Sequence, residues 1–296
     1  MDTNKYKKIV EEISQKYKYS SNIKYILELI IPGFVLKYGL KNETLILKCF
    51  RDIPIFIRER EGEIKASFVR KLVKNKEEFL TLKRIILDSY EKANYKDLVE
   101  ALVHEYNHAL NSINKEIKEE KEFIYVRSGI SFSWFLKDDF KEKKKENYVI
   151  LEEVINVYQS EDIINKILNY HFLDYSLKEK QDFLKREIGS NIYLSSAYNL
   201  ERMILNLLIT NKSFITTLES LRLSGEIYEV DSWFDGMVNK KGEFKRMNET
   251  FEELFNLVKM LKRKDLFYTY KVNRIREKVN IIKGIISKFQ ESTIFK

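Results

Sequence analysis

Apolar residues recur at helical spacing in the first part of the chain. Every three to four residues an apolar side chain returns across residues 4–17, which predicts a helix there. Residues 22–31 show the same pattern. We expect this second helix to end at Pro32-Gly33, because proline lacks the backbone N–H that continues a helix.

The next segments are short and rich in β-branched and aromatic residues, which predicts strands. Strands are predicted at residues 45–49, 54–58, 64–69 and 83–88, with a turn at residues 60–62. A further strand or hairpin arm is predicted over residues 123–135, and a charged, solvated loop over residues 137–147.

Helical patterns dominate the rest of the chain. Leu98, Leu102, Tyr106 and Leu110 recur at a period of four and predict a helix over residues 95–117. Residues 148–223 are almost wholly helical in pattern, residues 231–246 form a turn-rich interruption, and two helices follow at 248–264 and 266–290. The order of the predicted elements, with helices first, then a small mixed sheet and then more helices, predicts an α+β fold. We divide it into segments 1–44, 45–225 and 226–296.

Composition narrows the class of protein. The 296 residues include 9 Gly, 2 Pro and a single cysteine, Cys49. One cysteine excludes a disulfide framework and any Cys-rich zinc module. The net charge is +8, and residues 259–296 carry 11 Lys/Arg against 3 Asp/Glu. The N-terminus lacks the apolar core of a secretory signal, so we expect a soluble, cytoplasmic protein without a membrane partner.

The chain has only 3 histidines, and two of them lie in His104-Glu105-Tyr106-Asn107-His108, an HExxH sequence. On a helix, residues i and i+4 lie on one face, so both imidazoles can bind one metal ion. The motif predicts zinc as the metal and Glu105 as the general base that takes a proton from water. The alternative is a helix whose histidines only belong to a polar cluster.

A catalytic zinc needs a third protein ligand. Cys49 is alone on a predicted strand and is excluded. A metzincin would need Gly at position 111 and His at position 114, where this chain has Asn111 and Asn114. What remains is His171 or a carboxylate on a following helix, where Glu152 and Glu153 open an apolar segment. These two acids could instead only stabilise the helix dipole.

At these residues the chain resembles the gluzincin branch of the zincin metallopeptidases, and it is similar to uncharacterised intracellular zincin-like proteins of bacteria. The resemblance covers about residues 45–210. It rests on the HExxH sequence together with Arg127-Ser128-Gly129-Ile130, Glu152-Glu153-Val154-Ile155-Asn156 and Ser160-Glu161. It implies a zincin-like fold, Zn²⁺ as cofactor, Glu153 as the third ligand and Glu152 as its neighbour. Val154 departs from the family, which has Gly there.

The resemblance also implies a Tyr or His that polarises the scissile carbonyl. Tyr198 is the first choice, with His171 and Tyr148 as alternatives. In zincins an edge strand before the HExxH helix pairs with the extended substrate. Residues 83–88 take that place in this chain, although they could equally be an ordinary strand.

The C-terminal segment has a basic face interleaved with aromatic residues: Lys262, Arg263, Lys264, Phe267, Tyr268, Tyr270, Lys271, Arg274, Arg276 and Lys278. We expect two packed helices over residues 248–290, with the cations outward and Leu254, Leu257, Leu261 and Phe267 in a buried stripe. A nucleic-acid partner is not expected.

The sequence therefore predicts a zinc metallopeptidase acting on a polypeptide. The alternative is a non-catalytic zincin-fold regulatory or binding module that contacts an acidic partner through the basic helices. The oligomeric state is left open.

Overall fold

In the computed structural model, the described residues of the chain form a mixed α+β fold with two small sheets. The structure describes residues 3–59, 65–76, 78–88, 95–138, 142–169, 178–179, 182, 199–209, 211–226, 230–260 and 267–294. Within these residues, no helix has the length and apolar character needed to cross a membrane.

The first half contains α1 (Thr3–Tyr17), α2 (Ser21–Tyr38), α3 (Glu43–Asp52), β1 (Ile55–Arg58), β2 (Lys65–Asn75), β3 (Glu78–Asp88) and α4 (Tyr95–Leu110). The second half contains β4 (Ile117–Glu119), β5 (Phe123–Ser128), β6 (Ser131–Leu136), β7 (Glu142–Asn147) and α5 (Val149–Asn169). It continues with α6 (Asn199–Leu208), α7 (Lys212–Ser224), α8 (Val230–Met237), α9 (Glu243–Lys259) and α10 (Tyr268–Ile294).

The chain divides into two units. The first consists of residues 1–113 and 158–195, and the second of residues 114–157 and 196–296. Helix α5 is continuous and contributes its first nine residues to the second unit and the rest to the first.

In the first unit, α2 runs unbroken through Pro32 and Gly33, so the predicted helix end at this point is wrong. Nearly every side chain from Ile23 to Val35 is buried, and this burial offsets the hydrogen bond that proline removes. A Cβ on Gly33 would lie 2.4 Å from Ile167 Cγ1 of α5. Glycine therefore allows the two helices to approach closely.

The strand predicted at residues 45–49 is also wrong, because these residues lie inside α3. Ile46 and Phe50 are buried one turn apart, with Leu47 and Cys49 beside them, while the charged Lys48 between them is exposed. A short apolar run does not by itself distinguish a strand from a buried helix face.

The sheet of the first unit has the strand order β1-β3-β2. β3 pairs in parallel with β1, starting at Ile55↔Ile85, and antiparallel with β2, including Phe68↔Ile85. The strands predicted at residues 54–58, 64–69 and 83–88 are present, the last two in longer form. However, β3 is the central strand, so residues 83–88 do not form a free edge. Among the described strands, β2 is the edge on which α4 packs.

The second unit has a four-stranded antiparallel sheet in the order β4-β5-β6-β7. The predicted helix over residues 95–117 ends earlier, at Leu110, because Ile117 pairs with Val126 in this sheet. Residues 142–147 pair with β6 as a strand rather than forming a loop. Their sequence, Glu-Lys-Lys-Lys-Glu-Asn, is typical of a charged edge that discourages pairing with other chains.

Helices α6 to α10 also belong to the second unit. The turn-rich interruption predicted at residues 231–246 is wrong in part, since it contains α8 and the start of α9. The two C-terminal helices are present as α9 and α10. Leu254 is buried, but Phe267 is 66% exposed and lies outside the predicted buried stripe. Lys278 is buried and pairs with Glu253 rather than pointing outward. Leu261 and residues 262–264 lie outside the described residues.

Candidate metal centre

The HExxH sequence lies in the second half of α4, where the helix is buried on all sides. Every residue from Leu102 to Leu110 is buried. His104, Glu105 and His108 are only 5%, 6% and 6% exposed. Buried polar side chains need partners, so this group is placed for a specific interaction rather than for solvation.

The two histidines converge as their spacing predicts. Their Nε2 atoms lie 3.1 Å apart, and their rings meet edge to face with centroids 4.7 Å apart. Two nitrogens bound tetrahedrally to one zinc ion at ~2.05 Å would lie ~3.3 Å apart. The observed separation therefore fits a single ion held by both rings.

Glu153 completes the group. Ligand atoms of His104, His108 and Glu153 all lie within 4.8 Å of one another. Two imidazoles and one carboxylate could hold a metal ion, and His₂Glu is a donor set that catalytic zinc uses. Among the third-ligand candidates that the structure describes, Glu153 is therefore the one brought to the histidines. His171 lies outside the described residues.

Glu105 does not belong to this group and has a different neighbour. Its Oε2 accepts a hydrogen bond of 2.6 Å from the backbone N–H of Phe68, on the edge strand β2. Its Oε1 makes no hydrogen bond with any described residue. The carboxylate is thus fixed through one oxygen and keeps the other for a further partner.

Glu152 turns to a separate buried network. Arg222 of α7 donates from Nε to Glu152 Oε2 at 2.9 Å and to Oε1 at 3.1 Å, and its Nη2 also bonds to Oε1. The same Nη2 donates to Asn156 Oδ1 at 2.5 Å. Arg222 is fully buried and Glu152 nearly so. This ion pair fixes the first turns of α5, on which the next residue is Glu153.

The turn between β5 and β6 fits around the same carboxylate. Ile130 N donates to Glu152 Oε2 at 2.7 Å. Gly129 has φ +60°, and a Cβ at this position would lie 2.0 Å from that oxygen. The buried Arg127 guanidinium closes the turn by donating to Gly129 O at 2.6 Å and to Arg222 O at 2.9 Å. Arg127, Gly129 and Glu152 are thus spatially one cluster.

A second network joins α5 to α4 within the first unit. Asn107 Nδ2 donates to Gln159 Oε1 at 3.3 Å, and Tyr38 OH of α2 donates to the same oxygen at 3.2 Å. Asn111 Nδ2 donates to Tyr38 OH at 2.9 Å. Asn107, Asn111 and Gln159 are fully buried. Hydrogen bonds in such a dry setting fix the register of the two helices.

Of the three predicted carbonyl-polarising residues, Tyr148 is the one that the structure describes. Tyr198, like His171, lies outside the described residues. Tyr148 donates its hydroxyl to both carboxylate oxygens of Asp231 at 2.6 Å. Burial raises the pKa of the Tyr148 hydroxyl, and the bond to Asp231 raises it further. Tyr148 would have to break this bond to donate to a substrate.

Two residues around the site were missed by sequence reasoning. Arg222 follows Leu218 by four residues and Phe214 by eight, so a charged residue interrupts the buried face of α7. A cation on an apolar stripe indicates a buried acidic partner, so this pattern could have identified Arg222 from the sequence. Phe68 acts through its backbone N–H, for which no side-chain pattern exists.

Comparison with protein-family models, with curated proteins and with solved structures gives no match for this chain.

Proposed function

We propose that this chain is a zincin-like zinc metallopeptidase that hydrolyses peptide bonds in a polypeptide. The observation that carries the proposal is the group of buried His104 and His108 with half-buried Glu153, together with Glu105 beside His104 on α4. Zinc, when bound, would lower the pKa of water towards neutrality and polarise the scissile carbonyl.

The residues of the chain have separate roles in this proposal. His104, His108 and Glu153 would hold the metal through two nitrogens and one oxygen. Glu105 takes a proton from the attacking water and later delivers it to the leaving amine. Phe68 N–H holds Glu105 Oε2, which fixes the carboxylate and limits its rotation during both transfers.

The edge strand supports a polypeptide as the substrate. β2 lies beside Glu105 and, in the described sheet, has β3 on one side only. An extended chain can pair with such an edge through backbone hydrogen bonds. The role that the sequence assigned to residues 83–88 therefore passes to β2.

The test is hydrolysis by the full-length protein after metal analysis. We expect about one zinc per chain and cleavage of an unfolded protein, detected by mass spectrometry. Glu105→Gln should keep zinc but lose hydrolysis by about a factor of 10³ or more, because the amide cannot accept the proton. Glu100→Gln, a similar change on the same helix, should retain activity. Activity in Glu105→Gln equal to that of Glu100→Gln would contradict the proposal.

A second candidate is a zinc-binding module without catalysis. The bond from Phe68 to Glu105 favours it, because it gives Glu105 a structural role between β2 and α4. The amide oxygen of Gln can still accept this bond. If zinc is bound and no polypeptide is cleaved, while Glu105→Gln leaves stability and zinc content unchanged, the second candidate holds.

A further inference from the structure

The three-stranded sheet beside the metal group is strongly basic. β1, β2 and β3 carry seven Lys/Arg and two Asp/Glu, an excess of five positive charges in three short strands. Arg58 and Asp88 form a bidentate pair at 2.7 and 2.9 Å, so these two charges cancel. Glu78 is the other acidic residue of the three strands.

The basic residues follow the edge strand away from Glu105. Phe68 N–H points to Glu105, hence away from β3. In an antiparallel pair the N–H and C=O of one residue point the same way, and the direction alternates along the strand. The backbone groups of Arg70, Leu72 and Lys74 therefore also point to the outer edge, beyond Phe68.

Both faces of this edge present positive charge. Side chains alternate between the faces, so Arg70 and Lys74 share the face of Phe68, whereas Lys71 lies on the opposite face. Lys71 is directly opposite Leu82, and Arg84 lies two residues further along β3 on that face. Lys71, Lys74 and Arg84 are exposed. A strand added to β2 would place its own side chains beside these cations on either face.

The face that carries Lys71 also exposes apolar side chains. Leu82 is 61% exposed, Phe56 49% and Leu80 42%. Arg84 lies over the Phe56 ring at 5.6 Å from its centroid. Cations interspersed with exposed apolar side chains fit a ligand that combines carboxylates with apolar groups.

We propose that the polypeptide bound by β2 is acidic: an extended segment rich in Asp and Glu, with apolar residues between them, that adds to the strand beyond Phe68, from Arg70 to Lys74. Its acidic side chains lie beside the exposed Lys71 and Lys74. Its cleavage rests on the proposed peptidase function, whereas its binding does not.

The test measures binding apart from turnover. Full-length Glu105→Gln, with and without zinc, is titrated against a fluorescein-labelled peptide alternating Glu with Thr and Val. A matched peptide has Gln in place of every Glu. Binding is followed by fluorescence anisotropy at about 50 mM and about 200 mM salt. At the lower salt concentration the acidic peptide should bind about tenfold more tightly than the Gln peptide, and at the higher concentration this difference between the peptides should be smaller.

Charge reversal locates the binding surface. Lys71→Glu/Lys74→Glu should weaken binding of the acidic peptide about tenfold and leave the Gln peptide unaffected. Lys8→Glu/Lys41→Glu makes the same change in net charge at exposed positions outside the sheet and should have little effect.

Several results would overturn the proposal. These are equal affinity for the two peptides, equal losses in the two double variants, no saturable binding at about 1 mM peptide, or a DNA duplex that binds as tightly as the acidic peptide. A failure of the peptidase proposal would appear separately, as peptide binding by the wild-type protein without cleavage.

Discussion

Replacing Arg222 by Met tests whether the buried network around Glu152 stabilises the fold and positions Glu153. The Arg222 side chain is 0% exposed and that of Glu152 3% exposed. The change removes the three guanidinium bonds to Glu152 and the bond to Asn156. Removing one partner of a buried pair leaves an uncompensated charge, which costs about 3–5 kcal/mol. We expect a loss of that size in a guanidinium titration.

The effect on metal binding should be separable from the loss of stability. In the double variant Glu152→Leu/Arg222→Met both charges are gone, so most of the free energy of unfolding should return. If the network positions Glu153, zinc affinity measured by chelator competition should remain about 10- to 100-fold weaker, as is usual when residues that orient a metal ligand are changed.

A matched control is Arg246→Met. This guanidinium is half exposed beside Glu243, so its loss should cost less than about 1 kcal/mol. If Arg222→Met costs no more than Arg246→Met, the ion pair does not stabilise the fold. If the double variant binds zinc as tightly as the wild type, the network does not position Glu153.

Three further predictions follow from the structure. Removing metal with a chelator should lower the midpoint of thermal unfolding, and added zinc should restore it. A ligand at ~100 times its Kd stabilises the folded state by ~2.7 kcal/mol. An unchanged midpoint in differential scanning calorimetry would contradict a bound metal. In urea titrations, Gly129→Ala should lower the free energy of unfolding by about 1–3 kcal/mol, because φ is +60° at this residue and the added Cβ would collide with Glu152. The control Gly284→Ala, in the open middle of α10, should be neutral or slightly stabilising. The Lys5 ammonium lowers the pKa of Glu43 below 4.5, so the contribution of this carboxylate is complete above pH 4.5 and is lost as pH falls through the lowered value. Glu43→Gln should therefore lose less stability than the wild type between pH 5 and about pH 3, and identical acid-denaturation curves would contradict the ion pair.

The sequence by itself determined the features that depend on local geometry. A helix of 3.6 residues per turn brings His104 and His108 together whatever surrounds it, so their convergence could be predicted from spacing alone. The same holds for α1 and for the existence of β1, β2 and β3, whose patterns match the periods of their elements. The α+β class followed from the order of these elements.

Only the tertiary structure decided the features that depend on distant partners. Glu152 and Glu153 are neighbours on one helix and point about 100° apart, so packing decides that Glu153 approaches the histidines while Glu152 meets Arg222, 70 residues away. Burial of α2 overrides the break expected at Pro32. The order of the strands makes β2 the edge and places Phe68 N–H at Glu105. Spacing along the chain encodes only contacts within a few residues. Long-range pairings depend on which surfaces bury each other, and no local pattern specifies this.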